Sequence, residues 1–326
     1  ASEREPVWTE FSKYNYALRW YVAPEDIPRR MSRKIALGMD TSDAIGRDAI
    51  TMVLVDTENF ELIAAANVSE ANLILFTSWV ADLMVKYENI VLIPERRGSG
   101  QTLIDMLLVR LPSEGIDPFR RIYNVIVDNS NDYKDEYKIV QQDLKRRHAT
   151  FYEQNKKYFG FVTSGTGKHS RMQLYSETLQ RAARLGCNKC YDKPLIDEIT
   201  GLVTKNGRLD HTESGHDDMV IAWLLTAWFL MSSKNLQFYG ITNALSDAVE
   251  HRSGEKVKVS EDPIDEYENH RQKEIRNEIE QLLENMHTVE DDFVVMQIEH
   301  RLKVLDSRLR QRFDEAKTID ALIADA

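Results

Sequence analysis

Cysteine is scarce in this chain: 326 residues carry two, Cys187 and Cys190. Two cysteines build no disulfide framework, and a lone Cys-x-x-Cys without a second pair is a poor zinc signal. Both are expected to be plain thiols in a reducing cytoplasm. Long apolar runs are missing as well. None reaches the ~20 residues a membrane span needs, so no membrane partner is expected. The start, Ala1-Ser2-Glu3-Arg4-Glu5, has no signal-peptide pattern. It also lacks Met, as a fragment or simple removal of the initiator would leave it. No Gly-x-x-x-x-Gly-Lys-Ser/Thr loop is present. Gly165-Thr166-Gly167-Lys168-His169 comes nearest, but position 162 is Val and position 169 is His, so no ATP hydrolysis is expected. Net positive charge is absent too: the formal net charge is −11. The excess sits at the end, where Ala244 to Ala326 holds 21 acidic and 12 basic residues. The first 243 residues are close to neutral, and a neutral domain can still present a basic face to DNA.

What is present is ordinary globular material, 42% hydrophobic and 29% charged, long enough for one or two domains. Residues 1–32 are rich in aromatics and read as a lead-in segment that packs on the main domain or on something removed. Lys34–Asp40, Asp48–Asp56 and Phe60–Val68 are β-like runs joined by short polar turns, the pattern of an antiparallel meander. Leu73–Tyr87 has helical spacing, and Ile90–Ile93 is a short apolar run suited to a strand buried on both faces. A helix is expected from Gly98-Ser99-Gly100 to Leu111, stopped by Pro112. Strands are expected at Ile122–Val127 and Phe159–Thr163. Further helices are expected at Ser170–Leu185, Pro194–Thr204 and Met219–Met231. The last is apolar nearly all round and should be buried. Helix–strand alternation after a meander indicates an α/β mixed sheet. Residues 33–243 are therefore the main domain, 244–263 a linker and 264–326 a helical C-terminal region. Two stripes mark that region, Ile275-Ile279-Leu282-Leu283-Met286 and Leu302-Leu305-Leu309-Phe313. A self-packed helical hairpin and a docking or oligomerising module both suit it.

The chemistry lies in acids at the ends of these elements. Asp217 and Asp218, in His216-Asp217-Asp218-Met219-Val220-Ile221-Ala222-Trp223, begin the apolar helix. Adjacent carboxylates repel, and an apolar surrounding adds to the cost unless a cap or a cation uses them. Asp40 closes the first β run of the main domain, and Glu95 follows the fourth. If those two strands are neighbours, Asp40 and Glu95 lie side by side at one sheet edge and the helix brings the aspartates across. Alone, each acid is a turn residue, a solvated side chain or an N-cap. Together and in this order they point to Mg²⁺ or Mn²⁺, which hard oxygen ligands select. Two ions roughly 3.5–4 Å apart suit in-line attack of water on a phosphodiester.

Three motifs carry a family resemblance. Gly38-Met39-Asp40 with Gly46-Arg47-Asp48-Ala49 resembles the first nuclease motif of tailed-bacteriophage terminase large subunits. Ile93-Pro94-Glu95-Arg96-Arg97-Gly98-Ser99-Gly100 resembles the second. Gly215-His216-Asp217-Asp218-Met219-Val220-Ile221-Ala222 resembles the third and is the most specific. Phe159-Gly160-Phe161-Val162-Thr163 is similar to the segment before that motif. The resemblance spans roughly Lys34 to Ser232. It implies an RNase H-like (retroviral integrase-type) fold and a metal-dependent endonuclease that cuts concatemeric viral DNA during packaging in the host cytoplasm, at the procapsid. It implies Asp40, Glu95, Asp217 and Asp218 as catalytic metal ligands, with the principal one of the last two left open. His216 is an accessory candidate. Asp48 is either an accessory acid or, preferably, the start of the second strand. The family's packaging ATPase domain has no counterpart in this chain and is an expected partner if the chain is a fragment. Double-stranded DNA, a portal and a small terminase subunit are the other expected partners.

Phosphate contacts are expected from Arg96 and Arg97, from Lys145, Arg146, Arg147 and His148, and from Lys168, His169 and Arg171, although each cluster alone also suits a solvated face. Two other functions compete. A junction resolvase or transposase-type nuclease would prefer branched DNA. A non-catalytic docking protein would act through residues 264–326 and bind a partner without cutting.

Overall fold

Ile35-Ala36-Leu37-Gly38-Met39-Asp40 is buried along its whole length. A strand without an exposed face must be covered on both sides, and the rest of the fold provides the covers. The computed structural model describes residues 3–41, 49–69, 71–142, 147, 149–163, 174–205, 208–210 and 216–241, with positions 245, 275, 279, 282, 298 and 300–305. The chain divides into two compact units, Ala1–Arg252 and Ser253–Ala326.

The first unit is built on a six-stranded mixed sheet. Its strands are β1 (Trp8–Phe11), β2 (Ala17–Trp20), β3 (Ile35–Asp40), β4 (Ile50–Asp56), β5 (Leu62–Val68) and β6 (Ile90–Pro94), in the spatial order β1-β2-β5-β4-β3-β6. β3, β4 and β5 form the expected antiparallel meander. β6 returns parallel to β3, after a crossover through the helix Leu73–Lys86. Asn72 starts that helix, its side chain accepting from the N–H groups of Ile74 and Leu75. At its other end buried Arg121 donates to the carbonyls of Met84, Tyr87 and Ile90. A cation there satisfies carbonyls the helix leaves open and opposes its dipole.

The described α-helices of this unit are α1 (Ile27–Met31), α2 (Leu73–Lys86), α3 (Ser99–Ser113), α4 (Pro118–Arg121), α5 (Val125–Asp128), α6 (Lys134–Val140), α7 (Ala149–Asn155), α8 (Leu179–Gly186), α9 (Lys193–Thr200) and α10 (Asp218–Ser232). A short hairpin, β7 (Val203–Lys205) and β8 (Arg208–Asp210), lies between α9 and α10. It replaces the end of the helix expected over Pro194–Thr204, which stops at Thr200. α10 is buried from Met219 to Leu230, as its all-round apolar sequence predicts. It packs on β3, β4 and β6.

Four other expectations need correction. Residues 1–32 are more than a lead-in: β1 and β2 extend the sheet, with Arg19 and Trp20 of β2 paired to Ala65 and Ala64 of β5. The expected strand Ile122–Val127 stops almost at once. Ile122 makes one parallel bridge to Leu92, and then the Asn124 side chain accepts from Val127 N–H at 3.0 Å and turns the chain into α5. Phe159–Thr163 is likewise reduced to single bridges, Phe159 to Asn124 and Phe161 to Glu95. Gly160 between them has φ +82°, which no continuous strand accommodates. Pro112 also sits inside the last turn of α3, which runs on to Ser113, instead of stopping the helix at Leu111.

In the second unit the described residues are helical, and Ile275, Ile298 and Leu305 are buried.

Gly38 is where α10 meets the sheet. A Cβ built there would lie 1.9 Å from the Ala222 carbonyl oxygen and 2.7 Å from Thr226 Cγ2. The close atom is helix backbone, so α10 would have to move. Gly38→Ala is expected to cost about 1–3 kcal/mol, as overpacked cores do. Thermal denaturation checks this, and an unchanged Tm would contradict the packing described.

Candidate functional site

β3 and β6 run parallel, with Met39 opposite Pro94, and Glu95 N–H donates to the Met39 carbonyl at 2.8 Å. Asp40 ends β3 and Glu95 directly follows β6. The two acids therefore stand next to each other at the carboxyl end of the paired strands. Side chains alternate along a strand, so Asp40 shares a face with Gly38, the face on which α10 lies.

α10 brings its first residues to the same end. Thr51 is the register partner of Asp40 on β4, and its hydroxyl donates to the Asp218 carbonyl at 2.9 Å. The helix start is thus tied to the strand pair that carries Asp40. Gly100, at the start of α3, closes another side. A Cβ there would meet the Glu95 carbonyl at 2.0 Å and Thr41 Oγ1 at 2.9 Å.

Asp40, Glu95 and Asp217 are 4%, 7% and 4% exposed; Asp218 is half-buried and His216 exposed. Asp217 occupies the N-cap position of α10, where its ordinary use would be to accept helix N–H groups. Its side chain makes no capping bond. Glu198 on α9 takes that role, accepting from Val220 N–H at 3.1 Å. Asp217 Oδ2 instead accepts from the Tyr175 hydroxyl, and Glu95 Oε1 accepts from the Thr163 hydroxyl.

Glu198, Tyr175 and Thr163 escaped the sequence analysis as functional candidates. Glu198 lies in the expected helix Pro194–Thr204, where no motif singles it out, and only the tertiary fold brings it to the start of α10. Burial pushes its carboxyl up to about 7, and the charges of Asp218 and Asp217 push the same way.

The donor set is all carboxylate, which suits a small hard cation. The spacing is looser than the chemistry. Among the described residues, no three His, Cys, Asp or Glu side chains stand close enough together to hold one ion.

The basic candidates divide. Arg97 is exposed beside Glu95. Half-buried Arg96 donates to Gln101 Oε1 and to the Lys157 carbonyl. Arg147 is buried, ion-paired to Asp117 at 2.6 Å and bonded to the carbonyls of Ile139, Val140 and Gln142. Its charge is spent inside the fold rather than on a DNA-facing surface. Asp48, Lys145, Arg146, His148, Lys168, His169 and Arg171 lie outside the described residues. Cys190 is buried, and burial pushes its thiol up to about 12, so it is no ready nucleophile. Among the described residues no helix is long and apolar enough to cross a membrane.

No protein-family model matches this chain, and no curated protein matches it. Solved structures that resemble it include the large terminase nuclease from thermophilic phage G20c, at 14% identity and a TM-score of 0.34, over 70% of this chain and 92% of that one. The same nuclease with bound zinc gives 14% identity and a TM-score of 0.37, over 70% and 92% of the two chains. With bound magnesium it gives 13% and 0.35, over 69% and 92%. Likeness at this level carries no functional argument.

The raised Glu198 carboxyl has a consequence for stability. The folded state holds the proton more tightly than the unfolded state, whose carboxyl titrates near 4.5. This contribution is complete below pH 4.5 and is lost as pH rises through about 7. With a chelator present, Glu198→Gln is expected to be the more stable protein above pH 7, by on the order of 1–2 kcal/mol after discounting for partial exposure. Urea unfolding of both proteins from pH 4 to 8 checks this. Parallel pH profiles would contradict it.

Proposed function

We propose that this chain is a metal-dependent DNA endonuclease of RNase H-like fold, the nuclease part of a terminase large subunit that cuts concatemeric viral DNA during packaging. One observation carries the proposal: buried Asp40 and Glu95 stand side by side at one end of the sheet, and the Asp217-Asp218 start of a buried helix is tied to that same end through Thr51. Buried carboxylates at adjoining positions are costly unless a cation or strong donors compensate them. The motif order in the sequence gives the same residues the same chemistry.

Asp40, Glu95, Asp217 and Asp218 are the proposed ligands of Mg²⁺ or Mn²⁺ and would have to draw closer together than they stand here to share an ion; two such ions would supply an activated water and a stabilised leaving oxygen for phosphodiester hydrolysis. The protein's own part is to fix the acids. Gly38 lets α10 close on β3, Thr51 and Glu198 hold the start of the helix, and neighbouring strands align Asp40 with Glu95. Exposed Arg97 is the described cation best placed to meet a phosphate near Glu95, and such contacts are tolerant of sequence. Double-stranded DNA is the proposed substrate. A portal, a small terminase subunit and the packaging ATPase are the proposed partners, in the host cytoplasm.

The test is cleavage of plasmid DNA in Mg²⁺ or Mn²⁺. The parent protein is expected to cut. Asp40→Asn is expected to fold normally by circular dichroism and to cut at least about 10²-fold more slowly, the scale of loss when one preorganised charge-stabilising group is removed. A folded Asp40→Asn protein that cuts as well as the parent sinks the assignment.

A further inference from the structure

The sheet ends differently at its two edges. Outside β6, Ile122 bridges Leu92 and Phe161 bridges Glu95. Outside β1, no strand pairs among the described residues. Tyr21 N–H donates to the Ile63 carbonyl at 2.9 Å, so Arg19 and Tyr21 turn their backbone groups toward β5. Leu18 and Trp20 turn theirs toward β1, where their partners are Glu10 and Trp8. The N–H and C=O groups of Thr9 and Phe11 therefore point outward. Val7 N–H does not, since it donates to the Trp20 carbonyl at 2.8 Å.

The plainer account is a hydrated edge. Edges left to water are usually guarded by charge and show little apolar surface. This one is apolar. Val7, Trp8 and Phe11 are 51%, 38% and 70% exposed, and the charge of Glu10 is met by Lys86 at 3.0 Å. Beside the edge, the β1–β2 hairpin and α2 border an open cleft of about 230 Å³. Leu18, Trp79 and Leu83 line it, with Glu10, Asp82 and Lys86 among its polar residues.

The edge is complementary to itself. Two β1 strands set antiparallel about a two-fold axis at Thr9 exchange N–H and C=O bonds between their Thr9 residues. Phe11 N–H of each copy then meets the Val7 carbonyl of the other, which asks for no donor from Val7. In the same register Val7 lies across from Phe11. Exposed Glu5 lies across from exposed Lys13, whose ammonium also meets Asp82 at 2.8 Å. Trp8 lies across from Glu10, on the sheet face that carries the cleft. Each of these pairs occurs twice, as an isologous interface requires, and apolar and opposite-charge cross-strand pairs stabilise a sheet. We propose that this chain pairs with a second copy through the outer edge of β1, with Trp8 of each copy seated at the cleft of the other. β3 lies four strands from β1, so the pairing does not involve the candidate acids.

Sedimentation velocity over a dilution series and cysteine cross-linking test this on the full chain. The parent is expected to show a monomer–dimer equilibrium. Thr9→Pro removes an outward donor, and Phe11→Asp places a charge at the seam. Both are expected to weaken the dimer at least about 10-fold. Both should keep the circular dichroism of the parent, because the altered groups do not serve β2. With Cys187→Ser removing the exposed thiol, Thr9→Cys is expected to give a disulfide-linked dimer on mild oxidation with copper phenanthroline. Lys13→Cys in the same background is expected to give none, because the register places it far from its own copy. A parent that stays monomeric throughout the series overturns the proposal. So does a dimer left unweakened by folded Thr9→Pro and Phe11→Asp, or one that cross-links through Lys13→Cys and not through Thr9→Cys. Where a variant loses its fold, the cross-linking decides alone.

Discussion

Everything at the candidate site depends on how closely α10 lies against β3. At Gly38 the Ala222 carbonyl oxygen occupies the space a side chain would need. That contact brings the helix backbone onto the strand itself and sets the height of its first turn above the sheet. Asp218 is one turn before Ala222, and Asp40 is two residues beyond Gly38, so the two distances along helix and strand are nearly the same, at about 6 Å each. The helix start consequently comes down at the end of the strand that carries Asp40. Thr51 bonds it there, and Glu198 serves its open N–H groups.

The electrostatic problem follows from that geometry. Three carboxylates, each less than a tenth exposed, are supplied by the ends of β3 and β6 and the start of α10. Like charges in partly dry surroundings raise one another's cost. Hydroxyls of Tyr175 and Thr163 compensate part of it. The neighbouring Glu198 holds its proton to a higher pH, chiefly because it is buried and further because it faces Asp218 and Asp217. A divalent cation is the proposed compensation for the rest.

Much of this was legible beforehand, and the failures have definite causes. Continuous apolar runs marked β3 and β6, and polar turns marked the meander, because buried strands leave few alternatives. Asp40 and Glu95 stood out because each ends such a run. β1 and β2 were hidden, being four residues long and mixed in character, so that the pairing of β1 to β2 and of β2 to β5 is decided by tertiary packing. The segments around Asn124 and Gly160 look β-like in composition, but one capping side chain and one positive φ end them. Arg147 could not be told from its basic neighbours by sequence, although Asp117 draws it inward. Glu198, Tyr175 and Thr163 act through contacts with residues far along the chain, and no local pattern announces such contacts.

The most direct test of the central claim is a crystal structure of the protein soaked with Mn²⁺, with anomalous scattering used to locate the ion. The account predicts a peak bound by Asp40 together with Asp217 or Asp218, with Glu95 alongside. Mn²⁺ bound only elsewhere, or acids too far apart to share an ion in fully soaked crystals, would contradict it.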